Sequence, residues 1–364
     1  MLMRRWLPLL LIALAWPALA QSMPAATPCP SGIGADIPCL AGQDSAGAFY
    51  LIALPADWNG RLVLHAHGGP FLGAPSAQRV AEDLQRWAVI PRAGYALAAS
   101  SYRQGGVAVT AAAEDTERLR QLFVLQVARP ELTILHGQSF GAGVAAKGAE
   151  LYTYDGVLLT SGVLGGGPRS YDFRLDLRVV YQALCANHPR ADETPYPLWM
   201  GLPPDTHMTA EDLKKRADNC LGLDQPAAAR SAEQARKLKA IVDVIHIPER
   251  SIHGHLNWAT FAFRDIVQKR TGGGNPFSNI GVVYSGSADD AALNASVLRY
   301  AANPAAVAQF SADAGLSGRI KVPVLTVHAI HDPIAFVELQ NLFGQTMAAA
   351  GQADHLVQTY TDDH

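Results

Sequence analysis

Short apolar runs alternate with helical patterns along most of the chain. Runs bounded by turn residues such as Asn59-Gly60 predict strands at 49–54, 62–66, 95–100, 132–135, 157–160, 322–327 and 356–360. Between them, apolar positions recur at helical spacing in residues 111–127, and helices are also predicted at 140–151 and 335–349. Strand–helix alternation of this kind predicts an α/β protein with a mostly parallel central sheet and helices on both of its faces.

The pattern changes in the middle of the chain. Residues 165–319 show helical stretches near 172–184, 232–245, 256–270 and 289–302, separated by loops rich in proline and glycine. This block predicts a large helical insertion into a sheet core formed by residues 47–164 and 320–364. Residues 21–46 are rich in Pro, Gly and Ala and predict an irregular N-terminal segment.

The first 20 residues have the features of a secretory signal peptide. Arg4 and Arg5 form a basic start, an apolar run from 6 to 16 follows, and Ala18-Leu19-Ala20 provides small residues for cleavage. The alternative is a membrane anchor, but the run is shorter than the roughly 20 residues of a spanning helix. The sequence therefore predicts export to the periplasm or the extracellular space, with no stable membrane span after signal removal and a mature chain starting near Gln21.

Composition and charge narrow the function classes. Apolar residues make up 49% of the chain and charged residues 17%, which excludes a disordered protein. The formal net charge is −3, without a basic stripe, so no nucleic-acid partner is expected. The four cysteines lack Cys-x-x-Cys spacing, so no structural zinc site is expected. In an exported chain they predict disulfides, and short loops favour the local pairs Cys29–Cys39 and Cys185–Cys220 over cross-pairing or free thiols.

A candidate nucleophile follows a predicted strand directly. Gly137-Gln138-Ser139-Phe140-Gly141 lies between strand 132–135 and a helix rich in Ala and Gly. In this strand–turn–helix context, Gly-x-Ser-x-Gly holds a serine on a sharp turn, and Gly137 and Gly141 let strand and helix approach closely. The alternative is a serine that only caps the helix. We expect Ser139 to be the nucleophile.

A glycine-rich turn follows an earlier strand. In His67-Gly68-Gly69-Pro70, a backbone N–H can point to the position where a carbonyl oxygen becomes negative. Pro70 has no N–H, so Gly69 is the expected donor and the Phe140 amide the second one. His67 is expected to brace the turn. The spacing of His65 and His67 would allow a metal, but the sequence offers no matching third ligand, and no metal or cofactor is expected.

These motifs resemble those of the α/β-hydrolase family. The resemblance covers residues 48–164 and 320–364 and rests on the His-Gly-Gly-Pro turn, the Gly-x-Ser-x-Gly motif, an Asp-bearing loop and a terminal histidine, in the family's order. The turn is also similar to that of esterases and prolyl-oligopeptidase-type members. The resemblance implies the α/β-hydrolase fold, and it implies that the insertion 165–319 is a cap domain over the site.

The resemblance also assigns the acid and the base. Asp332 follows strand 322–327, where the family carries the carboxylate that orients the histidine, although an Asp-Pro turn that caps a helix is the alternative. His364 follows strand 356–360, whereas His355 opens that strand and lies at the wrong end of the sheet. The family continues with a loop and a helix beyond this histidine, whereas His364 is the last residue of this sequence. Weaker candidates for the acid are Asp354, Asp362 and Asp363.

The expected activity is that of a serine hydrolase. Ser139, His364 and Asp332 would cleave small-molecule carboxylic esters or related acyl substrates through an acyl-enzyme. The runner-up is a serine peptidase of prolyl-oligopeptidase type, which a buried carboxylate or Arg anchor for a peptide terminus would favour. A non-catalytic binding protein on the same fold is the alternative from another class. Oligomeric state and substrate identity stay open at this point.

Overall fold

The computed structural model describes residues 23–362 of the chain. The predicted signal peptide (1–20) and His364 lie outside the described residues. Within them, one nine-stranded sheet has the order β1-β2-β3-β5-β4-β6-β7-β8-β9. Its strands are β1 (Ala25–Thr27), β2 (Cys39–Gln43), β3 (Phe49–Ala53), β4 (Arg61–Ala66), β5 (Ala96–Ser100), β6 (Leu132–Gln138), β7 (Gly156–Thr160), β8 (Val324–Ala329) and β9 (Leu356–Thr361).

Most of the sheet is parallel. The strands β5-β4-β6-β7-β8-β9 pair in parallel, while β1, β2 and β3 add antiparallel pairs at one edge. In register, Gln138 pairs with Thr160, and Thr160 with Val327. Ala329 in turn pairs with Thr361. The strands therefore end along a common carboxyl edge, which is where ligands bind in sheets of this type.

Helices pack on both faces of the sheet. The helices of the described residues are α1 (Ala77–Arg86), α2 (Val89–Arg92), α3 (Val109–Gln126), α4 (Phe140–Leu151), α5 (Phe173–Cys185), α6 (Ala210–Leu221), α7 (Ala232–Ile245), α8 (Ile252–Asn257), α9 (Phe263–Asp265), α10 (Asp290–Ser296), α11 (Pro304–Ala314) and α12 (Glu338–Ala349), of which α5 to α11 lie between β7 and β8 in the chain. Two π-helical segments, Trp258–Ala262 and Ile266–Arg270, flank α9, so that residues 252–270 form one helical stretch. Short 3₁₀ turns lie at Gly167–Ser170, Leu198–Met200, Ala227–Ala229, Glu249–Ser251 and Ala353–His355.

The alternation of side chains along the strands creates two apolar layers. On β4, Leu62 and Leu64 pack with α3 and α4, whereas Val63 faces the opposite layer with Leu84 of α1. All four side chains are at most 6% exposed. Because both faces are covered, the central strands are apolar at nearly every position, as the short runs in the sequence predicted. The fold is thus α/β with a mostly parallel sheet flanked by helices.

The residues between β7 and β8 form the helical insertion. Residues 161–323, all of which the structure describes, contain α5 to α11 and add no strand to the sheet. No helix within residues 23–362 combines the length and the apolar character needed to cross a membrane.

Two sequence-based expectations about individual elements are wrong. Segment 21–46 is not irregular throughout, because β1 and β2 extend the sheet beyond β3. The prolines of this segment that suggested a loop lie outside these strands, so they interrupt no sheet hydrogen bond; they are Pro24, Pro28, Pro30 and Pro38. The helix expected at 289–302 stops at Ser296, because Tyr300 N–H donates to Asn279 Oδ1 at 2.7 Å and holds the following residues in a loop.

The four cysteines form the two predicted local disulfides. Cys29 is bonded to Cys39 with a Cα–Cα distance of 5.2 Å, and Cys185 to Cys220 with 5.8 Å. The first bond anchors the N-terminal segment to β2. The second links the end of α5 to α6.

Candidate active site

Ser139 occupies a strained turn between β6 and α4. Its φ of 55° and ψ of −119° lie in a region that side-chain-bearing residues rarely adopt. The turn is fixed by hydrogen bonds, because Ser139 N–H donates to Thr160 O at 2.9 Å and Val163 N–H donates to Ser139 O at 3.0 Å. The serine is half-buried at the carboxyl edge of the sheet, and its hydroxyl bonds to none of residues 23–362.

Two glycines make this turn possible. A β-carbon on Gly137 would collide with Gly141 O, and one on Gly141 would collide with the carbonyl oxygens of Ala66 and His67. The obstructing atoms belong to the backbone, so no side-chain rotation could relieve these contacts. Glycine is therefore required at both positions for α4 to start this close to β4 and β6.

The strand order and the strained serine after β6 are those of one fold. The chain has the α/β-hydrolase fold. The sequence motifs predicted this fold. The turn at residues 137–141, called the elbow from here on, the glycine-rich turn and the Asp-bearing loop each follow a strand on which the α/β-hydrolase fold carries such a motif.

Comparison with known proteins gives structural similarity only. No protein-family model and no curated protein matches the chain. Solved structures similar to it include an esterase from Aspergillus oryzae, with 13% identity, a TM-score of 0.46, and coverage of 95% of this chain and 80% of that chain. Another is a rice cell wall degrading esterase from Xanthomonas oryzae, with 10% identity, a TM-score of 0.44, and coverage of 95% and 92%. A third is an acylaminoacyl peptidase from Pyrococcus horikoshii, with 10% identity, a TM-score of 0.39, and coverage of 87% of this chain but 35% of that chain.

The glycine-rich turn lies against the serine. A β-carbon built on Gly68 would lie 3.4 Å from Ser139 Cβ and 3.2 Å from Gln138 O. Gly69 has a φ of +73°, which glycine adopts without strain. Among residues 23–362, neither Gly69 N–H nor Phe140 N–H has a hydrogen-bond acceptor. Phe140 opens α4, where the first N–H groups lack acceptors within the helix.

His67 is structurally tied to the turn. It is 2% exposed, its ring stacks on Tyr102 at 4.1 Å between centroids, and its Nδ1 lies 3.1 Å from Gly68 O. Because a carbonyl oxygen only accepts, the proton of the neutral ring is on Nδ1. Burial lowers the pKa of His67 to about 4, so the ring is neutral at pH 7.

The Asp332 loop leaves β8 at the same edge of the sheet. Asp332 Oδ1 accepts hydrogen bonds from Ile334 N–H at 2.9 Å and from Ala335 N–H at 3.0 Å. Asp332 thus closes a turn through Oδ1, but it does not cap α12 as the alternative interpretation of the Asp-Pro pair expected, because that helix begins at Glu338 with Val337 before it. Asp332 lines a cavity of about 650 Å³ together with His246, Arg250 and Phe336. Ser139 does not line this cavity.

The structure therefore brings together part of the expected site. Ser139, Gly68, Gly69 and Phe140 are adjacent, and Asp332 follows β8, which is separated from β6 by one strand. The last described strand, β9, ends at Thr361, which pairs with Ala329 of β8.

The buried histidines do not form a metal site. His65 Nδ1 and His136 Nδ1 lie 3.1 Å apart and share one hydrogen bond beneath the elbow. No group of three His, Cys, Asp or Glu side chains within the described part of the chain is placed to hold a metal ion.

The sequence did not indicate that two further side chains contact the candidate site. Arg79 of α1 donates to Gly68 O, and His255 of α8 lies 2.7 Å through Nε2 from Pro333 O, next to Asp332. Both contacts join residues distant in the chain, so no local spacing could have revealed them.

Proposed function

We propose that this chain is an exported serine hydrolase that cleaves carboxylic esters. The observation that carries the proposal is the combination of a strained Ser139 with two backbone N–H groups, those of Gly69 and Phe140, that have no acceptor in residues 23–362. An oxyanion requires such donors beside the nucleophile. The two disulfides support the proposed export, since disulfides persist in oxidising compartments.

The proposed reaction proceeds through an acyl-enzyme. Ser139 Oγ attacks the ester carbonyl while His364 takes its proton, and Asp332 orients the imidazole and stabilises its charged form. The oxygen that becomes negative accepts hydrogen bonds from Gly69 N–H and Phe140 N–H. His364 then gives the proton to the departing alcohol, and water releases the acyl group by the same steps in reverse. The substrate class is a small-molecule ester, and the proposal includes no metal or cofactor.

Ester hydrolysis with matched serine variants tests this function. In the mature protein, Ser139→Ala is expected to lower kcat for 4-nitrophenyl butyrate by at least roughly 10³-fold, because the nucleophile is lost. Ser161→Ala is the control, since Ser161 directly follows the neighbouring strand β7 and also has a positive φ, of 45°. Equal turnover in Ser139→Ala and the wild type would refute the proposed nucleophile.

A buried arginine supports a peptidase as the second candidate. Arg174 is 4% exposed, and its guanidinium lies 4.5 Å from the ring of Phe173 and 5.0 Å from that of Trp258. Nη1 donates to Ser170 O at 3.0 Å, while Nε has no partner among the described residues. A buried guanidinium without an acidic partner suits the carboxylate of a peptide terminus.

Paired substrates separate the two candidates. A peptidase with an Arg174 anchor would hydrolyse N-benzoylglycyl-phenylalanine, and Arg174→Met would abolish this activity while retaining turnover of 4-nitrophenyl butyrate. An esterase would hydrolyse the ester alone. Ser139-dependent turnover of the amide that does not depend on Arg174 would refute the anchor.

A further inference from the structure

The peptide bond between Gly68 and Gly69 is held from one side by two donors. Arg79 Nη2 donates to Gly68 O at 2.9 Å, and His67 Nδ1 lies 3.1 Å from the same oxygen. Arg79 belongs to α1, whereas His67 directly follows β4. The carbonyl of Gly68 is thus directed towards α1 by two side chains from different elements.

The planarity of the peptide bond transmits this constraint. In a trans peptide, the C=O of one residue and the N–H of the next point in opposite directions, and the six atoms move as a unit. A Gly68 carbonyl directed at Arg79 therefore directs Gly69 N–H away from Arg79. That N–H has no acceptor in residues 23–362, and the turn that carries it lies against the Ser139 side chain.

Glycine makes this constraint necessary. Two consecutive glycines have the least conformational preference of any dipeptide, and rotation of the peptide unit would exchange the N–H for the carbonyl oxygen. A carbonyl oxygen facing Ser139 would repel a developing oxyanion instead of stabilising it. The backbone therefore depends on outside partners to keep the donor orientation.

Arg79 is itself fixed by acidic neighbours on α1. Its Nη2 lies 3.4 Å from Asp83 Oδ1, and its Nη1 lies 3.7 Å from Glu82 Oε2. The Asp83 side chain is 5% exposed and that of Arg79 is 28% exposed. The Nη2 atom of the Arg79 guanidinium thus lies between the buried Asp83 carboxylate and the Gly68 carbonyl.

We propose that Arg79 is the positioning residue of the oxyanion-binding turn, holding the Gly68–Gly69 peptide with Gly69 N–H directed at the substrate carbonyl. This role rests on the proposed function, because it requires Ser139 as nucleophile and Gly69 as oxyanion donor. Arg79 does not contact the reacting atoms and acts through the peptide alone. Its loss affects the transition state, in which the oxygen is charged, more than the bound ester.

Kinetics of three variants test the proposal. Arg79→Met keeps the aliphatic stem but removes the donors, and we expect kcat for 4-nitrophenyl butyrate to fall roughly 10- to 1,000-fold with little change in KM. Arg79→Lys retains one donor and should recover part of the loss. Arg92→Met is the matched control, since Arg92 Nε also donates to a backbone carbonyl, Ala88 O at 3.1 Å, outside the turn.

A transition-state analogue distinguishes positioning from general stability. A boronic acid forms a tetrahedral anion on the serine, so the affinity for butylboronic acid should fall in Arg79→Met in parallel with kcat, and added guanidinium should partly restore turnover. If Arg79→Met does not fold, Arg79→Lys must still show reduced kcat and boronate affinity at unchanged KM. Wild-type kcat and boronate affinity in the folded variants would overturn the role of Arg79, whereas absence of Ser139-dependent turnover in the wild type would overturn the proposed function itself.

Discussion

At the level of single residues, the elbow depends on the absence of side chains at the neighbouring glycines. Ser139 holds a positive φ because Thr160 O and Val163 N–H fix its backbone and because Gly137 and Gly141 leave room. The motif in the sequence predicted this arrangement, since strand, small residues and serine are contiguous. The role of Arg79 was not predicted, because its contact with Gly68 O joins α1 to a turn 11 residues earlier in the chain.

Replacing one elbow glycine should damage both stability and activity. In Gly141→Ala the new methyl group meets the backbone carbonyls of Ala66 and His67, so we expect a loss of roughly 1–3 kcal/mol in the free energy of unfolding. The kcat for ester hydrolysis should also fall, because α4 and the Phe140 N–H must shift. Denaturant unfolding and ester kinetics measure the two effects. Gly254→Ala, with no atom within 4 Å of the added carbon, is the control, and equal behaviour of the two variants would contradict the account.

At the level of elements, the sequence predicted the strands and helices whose apolar pattern and boundaries are visible within a short segment. The strands of the parallel sheet, α3, α4 and α7 lie close to their expected positions because each combines an apolar period with clear boundaries. The strand β1 was missed because it has three residues and lies at the sheet edge, and β2 because it follows Pro38 and its residues 39–43 include no β-branched or aromatic side chain. α11 was also missed, although Asn303 as N-cap and Pro304 at the first position are a start signal.

The two disulfides should differ in their contribution to stability. The Cys29–Cys39 bond spans 10 residues and the Cys185–Cys220 bond spans 35. Loop-closure entropy then gives about 3 and about 4 kcal/mol, respectively. Replacing Cys185 and Cys220 by serine should therefore lower the unfolding midpoint more than replacing Cys29 and Cys39. The reverse order in thermal and urea unfolding would contradict this expectation.

The start of α5 should make stability depend on pH. Asp172 is the residue before α5, and its Oδ1 is buried without a partner among the described residues. Burial, with the nearby Asp176 carboxylate adding to it and Arg169 opposing it, raises the pKa of Asp172 from 3.8 to about 7. The folded state therefore holds a proton that the unfolded state has lost, and stability falls as pH rises from about 4 to about 7.

Asp172→Asn removes this titration. The unfolding free energy of the variant, relative to the wild type, should increase by on the order of 1 kcal/mol per pH unit between about pH 4 and 7 and stay level above. Urea unfolding at a series of pH values measures it, with the exposed Asp57→Asn as control. A difference that is constant from pH 4 to 8 would exclude Asp172 as the source.

At the scale of the whole molecule, the sheet order gathers the site. Ser139, the glycine-rich turn and Asp332 come from three distant parts of the chain, and the parallel strands β4, β6 and β8 deliver them to one edge. The order of the motifs predicted that each follows a strand of one parallel sheet. The packing of the insertion was beyond prediction, because the contact of Arg174 in α5 with Trp258 joins two helical segments whose mutual arrangement no local pattern encodes.

The most direct test of Ser139 as an activated nucleophile is labelling of the mature protein with a fluorophosphonate probe. Peptide mass spectrometry then locates the modified residue. The probe reacts with a serine whose hydroxyl is activated and whose oxyanion position is formed. We expect stoichiometric modification of Ser139 that is lost in Ser139→Ala and retained in Ser161→Ala. Absence of labelling in the folded protein, or labelling at another serine, would contradict it.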